Sequence, residues 1–109
     1  MNYNRVLLIH FHYTLLMELV PVKYERHIFV CVNEREEGDC CANRGSDDIL
    51  MALRNHVNSK GLMHRYNVSK SKCLGHCAFG PTIAIYPDGF IFRRVTLDDT
   101  KKIIEEFLK

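Results

Sequence analysis

The sequence predicts a single α/β domain of the α+β kind, a mixed four-stranded sheet with helices packed on it and elements in the order β-α-β-β-β-α. Three observations carry that expectation. From residue 26 onward, short β-branched runs alternate with segments whose apolar residues recur at helical spacing. The first run is followed by a helical segment and then by the second run, so the connection is a crossover and the two strands are a central parallel pair. Pro87-Asp88-Gly89 separates two later runs and marks an antiparallel C-terminal hairpin. At 109 residues and 47% apolar, the chain is sized for one modest core.

Residues 1–23 are expected to be an N-terminal extension to a domain over 24–109. Residues 6–20 are rich in Leu, Ile and aromatics, but they contain His10, His12 and Glu18, have no A-x-A-like cleavage site and are short for a membrane span. They read as an extra packed segment, or as sequence upstream of a true initiator at Met17. His27-Ile28-Phe29-Val30-Cys31-Val32 is a buried strand. Residues 33–45 have no apolar period, are charged, and carry Cys40 and Cys41; so long a loop points to function. Ser46-Asp47-Asp48 starts a helix with a capping hydroxyl and first-turn acids, Ile49, Leu50, Leu53 and Val57 share its buried face, and Lys60-Gly61 closes it. Residues 62–68 form a second strand, and polar residues 69–72 lead into a glycine-rich loop, Cys73-Leu74-Gly75-His76-Cys77-Ala78-Phe79-Gly80-Pro81. Residues 82–86 and 90–95 are the hairpin strands. Thr96-Leu97-Asp98-Asp99 resembles a capping box, and Ile103, Ile104, Phe107 and Leu108 give the last helix an apolar stripe.

In this layout Cys31 ends the first strand, Cys40 and Cys41 occupy the next loop, and Cys73 and Cys77 open the loop after the second strand. Parallel neighbours send both loops from one sheet edge, so four thiols converge at the carboxyl end of the strands. The spacing is Cys31-x9-Cys41-x31-Cys73-x3-Cys77. Without export the thiols stay reduced, and the chain is expected in the cytoplasm with its cysteines as metal ligands, for zinc or iron-sulfur, or as catalytic groups. Lys and Arg number 15 against 13 acidic residues, a near-balance that sets nucleic acid aside. No membrane role is expected.

Cys73-Leu74-Gly75-His76-Cys77 followed by Gly80-Pro81, the Tyr86-Pro87-Asp88-Gly89 turn, the His27 to Cys31 strand and Cys41-Ala42-Asn43-Arg44-Gly45-Ser46 together resemble the thioredoxin-like [2Fe-2S] ferredoxin family. The resemblance runs from about residue 24 to the C-terminus. It implies a thioredoxin-like fold, one [2Fe-2S] cluster per chain, electron transfer between redox partner proteins rather than enzymatic turnover, and a homodimer. It also implies cluster-binding, metal-ligating roles for Cys31, Cys41, Cys73 and Cys77. The stretch between Cys31 and Cys41 is shorter than in many relatives, and Cys40 stands where they commonly carry a small residue such as Ser. Cys41 is the expected ligand of that pair because it carries the match into the helix start.

Two ferric ions, two sulfides and four thiolates sum to −2, and reduction gives −3, so a low potential is expected unless cations or hydrogen bonds oppose it. Lys70, Lys72 and Arg44 are candidate cations, and Gly75 and Gly80 allow backbone N–H groups close to sulfur. His76 is not needed as a ligand, since Rieske centres replace two Cys by two His and four Cys are present. The other histidines lack metal-ligand spacing. Glu34, Glu36, Glu37 and Asp39 form a solvated loop that could steer a basic partner. The alternatives are an electron-input subunit of an NADH dehydrogenase- or hydrogenase-type complex, a structural four-cysteine zinc module, a thiol oxidoreductase and a non-metal interaction module. The zinc reading conflicts with the wide Cys31 to Cys41 spacing, and the oxidoreductase lacks a Cys-x-x-Cys.

Overall fold

The computed structural model describes residues 17–32, 45–75 and 79–109. Its elements are β1 (Arg26–Cys31), α1 (Ser46–Ser59), β2 (Tyr66–Ser71), β3 (Ile83–Tyr86), β4 (Phe90–Phe92) and α2 (Asp99–Phe107). The sheet order is β2-β1-β3-β4, with β1 and β2 parallel and the β1/β3 and β3/β4 pairs antiparallel, which is the expected mixed sheet.

Alternation along β1 divides the sheet into two unlike faces. Ile28 and Val30 are fully buried and join Tyr66, Val68, Ile83 and Ile85 in one core with Ile49, Leu50, Leu53 and Val57 of α1, Val95, Ile103 of α2 and Leu108. The two helices therefore cover one side of the sheet. On the other side His27 stacks on Phe29 at 4.1 Å and meets Tyr24 edge-on, while Phe29 meets Tyr86 edge-on. Val22, Lys23 and Pro87 complete an apolar groove of about 470 Å³ over those rings.

Local chemistry fixes where each element stops. At the end of α1, Leu62 N–H donates to Val57 O at 2.9 Å and Gly61 N–H to Asn58 O at 3.3 Å, with Gly61 at φ +66°. This is a Schellman closure, and the apolar residue after the glycine, Leu62, packs on the core. Residues 62–65 are consumed by that turn, so β2 starts at Tyr66, four residues later than the sequence suggested, and continues through the polar Ser69-Lys70-Ser71. β1 offers a ladder out to the Cys31–Ser71 pair, and an edge strand tolerates polar residues on its open side. β4 ends at Phe92 instead of running to residue 95, because Arg94 takes φ +55°, outside the strand region, and its N–H donates to Phe79 O at 2.6 Å.

The start of α1 also differs from expectation. Gly45, at φ +84°, occupies the cap position, and Ser46 makes no capping bond because its side chain is fully buried inside the first turn. The box before α2 forms as expected. Thr96 N–H donates to Asp99 Oδ2 at 2.9 Å, and Asp99 N–H donates to Thr96 Oγ1 at 3.3 Å. These bonds hold the Asp99 carboxyl below its ordinary pKa. The C-terminus is tied to the sheet by Arg26, which donates to Phe107 O and pairs through two nitrogens with Asp88, and by Tyr66 Oη donating to Lys109 O at 2.7 Å.

Candidate cluster-binding site

Cys31 is the last residue of β1 and only 1% exposed. Its N–H donates to Thr82 O at 3.1 Å on the β3 side, and the next amide, Val32, donates to Ser71 O at 3.0 Å on the β2 side. The strand end is thus held from both flanks, while Leu74 packs on the Cys31 side chain. Cys73 lies two residues beyond Ser71, the register partner of Cys31, and is exposed. Both cysteines therefore lie at the carboxyl end of the parallel pair, where the crossover topology is expected to place them.

Gly75 N–H donates to Cys73 Sγ at 3.3 Å, and Gly75 has φ +87°. That left-handed conformation turns the backbone N–H back toward sulfur and suits a residue without a Cβ. A donor aimed at sulfur favours its negative charge, which is the form that binds iron. Cys40, Cys41 and Cys77, together with Arg44, His76 and the acidic residues 34–39, lie outside the described residues. Among the described residues no group of three or more His, Cys, Asp or Glu could hold a metal ion.

The flanks of the two cysteine-bearing loops meet nonetheless. Gly45 and Asp48 at the start of α1 line a cleft of about 410 Å³ with Gly80, Pro81 and Arg94. The start of α1 and the Gly80-Pro81 segment therefore face one another across this cleft. Val95 N–H donates to Pro81 O at 3.1 Å, and Phe79 lies under two guanidinium groups, Arg93 at 4.3 Å and Arg94 at 5.5 Å from its ring centroid. In the sequence Arg93 and Arg94 read as ordinary residues of a longer β4, and nothing there marks them as neighbours of this site. An Arg pair beside an aromatic is visible in sequence only once Phe79 is known to lie across the sheet end from it. Lys70 and Lys72 stand exposed on the opposite edge of the same end.

Two hydroxyls stand out chemically. Ser46 Oγ and Thr82 Oγ1 are buried and have no hydrogen-bond partner among the described residues. Leaving such a group unsatisfied costs about 1–3 kcal/mol, so each is a donor in search of an acceptor. His27, by contrast, is satisfied: its Nε2 lies 2.8 Å from Ser69 Oγ and 3.3 Å from Asn67 Nδ2, and partial burial lowers its pKa. It sits at the far end of β1 from Cys31.

Comparison with known proteins agrees with this geometry. The profile described as thioredoxin-like [2Fe-2S] ferredoxin matches residues 1–108. A 2Fe-2S ferredoxin of Aquifex aeolicus is 32% identical over 88 residues, covering 77% of this chain and 79% of its own length. One from Clostridium pasteurianum is 30% identical over 92 residues, covering 81% and 89%. The crystal structure of the thioredoxin-like [2Fe-2S] ferredoxin from Aquifex aeolicus superposes with a TM-score of 0.72 at 30% identity, covering 78% of this chain and 86% of that one. With its sheet order, its two cysteines at one sheet end and a profile match over nearly its whole length, the chain belongs to the thioredoxin-like [2Fe-2S] ferredoxin family, whose members carry electrons on one such cluster.

Proposed function

We propose that Cys31, Cys41, Cys73 and Cys77 are the four ligands of the [2Fe-2S] cluster, and that the chain shuttles single electrons at low potential between donor and acceptor proteins in the cytoplasm. The observation that carries the ligand set is the position of Cys31 and Cys73 at one end of the parallel pair. Supporting it, Gly45 at the start of α1 and Gly80-Pro81 line one cleft at that end.

The residues present fit the cofactor. Thiolate sulfur is the donor that iron-sulfur chemistry asks for, and the orphaned hydroxyl of Thr82, which stands opposite Cys31, suits a sulfur acceptor. When bound, the cluster supplies a site that accepts and releases one electron. The chain supplies the rest. Cys31 offers a buried sulfur on a strand held from both flanks, Cys73 an exposed one held by the Gly75 amide, and Leu74 packs on the Cys31 side chain. Lys72, Arg93 and Arg94 put positive charge around this end, which eases the arrival of a further negative charge.

The protein acts as a carrier, with no substrate chemistry of its own, and pairs as a homodimer without binding nucleic acid or membrane. Among the described residues no helix is long and apolar enough to cross a membrane. The carrier domain spans 24–109, with 1–23 as an extension.

Anaerobic purification with an absorption spectrum and iron and sulfide analysis tests this reading. Brown protein with about two irons and two sulfides per chain is expected. Alanine at Cys31, Cys41, Cys73 or Cys77 should abolish the colour, whereas Cys40→Ala should keep it. Colourless zinc protein, or a cluster that survives loss of Cys41 but not of Cys40, would overturn the ligand assignment.

A further inference from the structure

The geometry points to a role for Thr82 that rests on the ligand assignment of Cys31: its hydroxyl donates a hydrogen bond to a cluster sulfur on the Cys31 side and thereby favours the reduced state. Val30 pairs with Ile83 across the β1/β3 ladder, and one step further the Cys31 N–H donates to Thr82 O. Cys31 and Thr82 are thus directly opposed in an antiparallel pair. Side chains so opposed project to the same face, with Cβ atoms about 4.5–5.5 Å apart.

Thr82 is 1% exposed, and its hydroxyl has no partner among the described residues. Its neighbours on this face offer little: Cys31 is covered by Leu74, and the Ser71 hydroxyl donates to Lys72 O at 3.0 Å. A buried hydroxyl in such a place is retained at a cost unless a further acceptor arrives. Sulfur on the cluster is such an acceptor. Because each sulfur gains negative charge on reduction, an O–H···S bond strengthens in the reduced form, and the equilibrium shifts toward it. The other orphan, Ser46, begins a helix on the opposite side of the sheet and has no such register with a cysteine.

Thr82→Val removes the hydroxyl and keeps the shape, and Thr82→Ser keeps the hydroxyl. In the cluster-loaded protein, Thr82→Val should lower the equilibrium constant for reduction roughly three- to ten-fold, equal to about 28–59 mV for one electron. Thr82→Ser should stay at the wild-type potential. Iron-sulfur stretching frequencies in resonance Raman spectra should shift on transfer of wild type to D2O, and shift less in Thr82→Val. The unfolding midpoint of Thr82→Val apoprotein should not fall, since the hydroxyl has no partner among the described residues.

A loaded Thr82→Val with wild-type potential, or a Thr82→Ser that behaves like the valine variant, would overturn the inference. If the valine variant fails to load, Thr82→Ala is read against the same two outcomes. The ligand assignment is judged separately, by iron content in Cys31→Ala, so the two failures are distinguishable.

Discussion

Cys31 and Cys73 owe their difference in character to two neighbours, Leu74 on one sulfur and the Gly75 amide on the other. Gly75 holds φ +87° in open space, so a Cβ there would meet no atom and would be opposed by the backbone alone. Gly75→Ala should therefore cost about 1 kcal/mol of stability. By turning the amide away from Cys73 it should also lower the reduction potential; voltammetry and a urea titration of the same sample check both. His27 makes a second prediction at this scale. Burial depresses its folded pKa below the usual imidazole value of about 6.5. Between those two values the unfolded chain binds the extra proton, so this stability is fully present above pH about 6.5 and is lost as pH falls through the folded value. Facing it are Tyr24, Phe29, Asn67 and Ser69, with Lys23 the charged residue that lines the same groove. His27→Phe should flatten the pH dependence of the urea midpoint in that window, and an unchanged slope would remove the assignment. Single residues were also where sequence reading failed. Ser46 looked like a capping hydroxyl because it precedes two acids, yet whether such a side chain turns to the helix amides or into the interior depends on packing that periodicity does not report. The orphan state of Thr82 was equally hidden, since it exists only through the β1/β3 register.

At the scale of elements, the patterns that survive are those with a physical period. Ile49, Leu50, Leu53 and Val57 lie buried on α1 as their spacing requires, and the capping box before α2 forms from the residues that spell it. Leu53→Ala, at a position with no exposure, should cost about 2–5 kcal/mol, read as a drop in the chemical-unfolding midpoint at constant slope. Boundaries were harder. Leu62 belongs by alternation to a strand, but the Schellman closure claims it first, and β2 then borrows polar residues because β1 supplies the ladder. Residues 93–95 looked like strand until Arg94 left the extended region to bond Phe79, which frees Val95 to enter the core. Strand edges are set by partners, and partners are not written locally in the chain. The proposed ligand positions are legible to the extent that topology decides them: the places of Cys31 and Cys73 follow from a parallel pair, while Cys40, Cys41 and Cys77 lie outside the described residues.

For the molecule as a whole, the formal charge is +2, and among the described residues four cations gather around one place. Lys70 and Lys72 on one edge and Arg93 and Arg94 on the other stand around the sheet end that carries the two placed cysteines. Because the cluster and residues 34–39 bring negative charge of their own, the cations are read by difference: reversing them should slow a small anionic oxidant such as ferricyanide and speed a cationic cobalt hexaammine complex, more at low ionic strength than at high. Arg93→Glu with Arg94→Glu should slow the anionic reaction roughly ten-fold at low salt. Stopped-flow rates across a salt series decide this, and variant rates equal to wild type with both oxidants would mean that the cations lie away from the point of electron exit.

The amides of Cys31 and Val32 are both engaged, one with each neighbouring strand, whereas Cys73 stands past the end of its own strand. Stripping out the iron should therefore leave one wall of the empty socket standing while the facing one softens. Backbone deuteration followed by mass spectrometry would see it as slow uptake around residues 28–32 with or without metal, and rapid uptake around 72–75 only when the metal is gone.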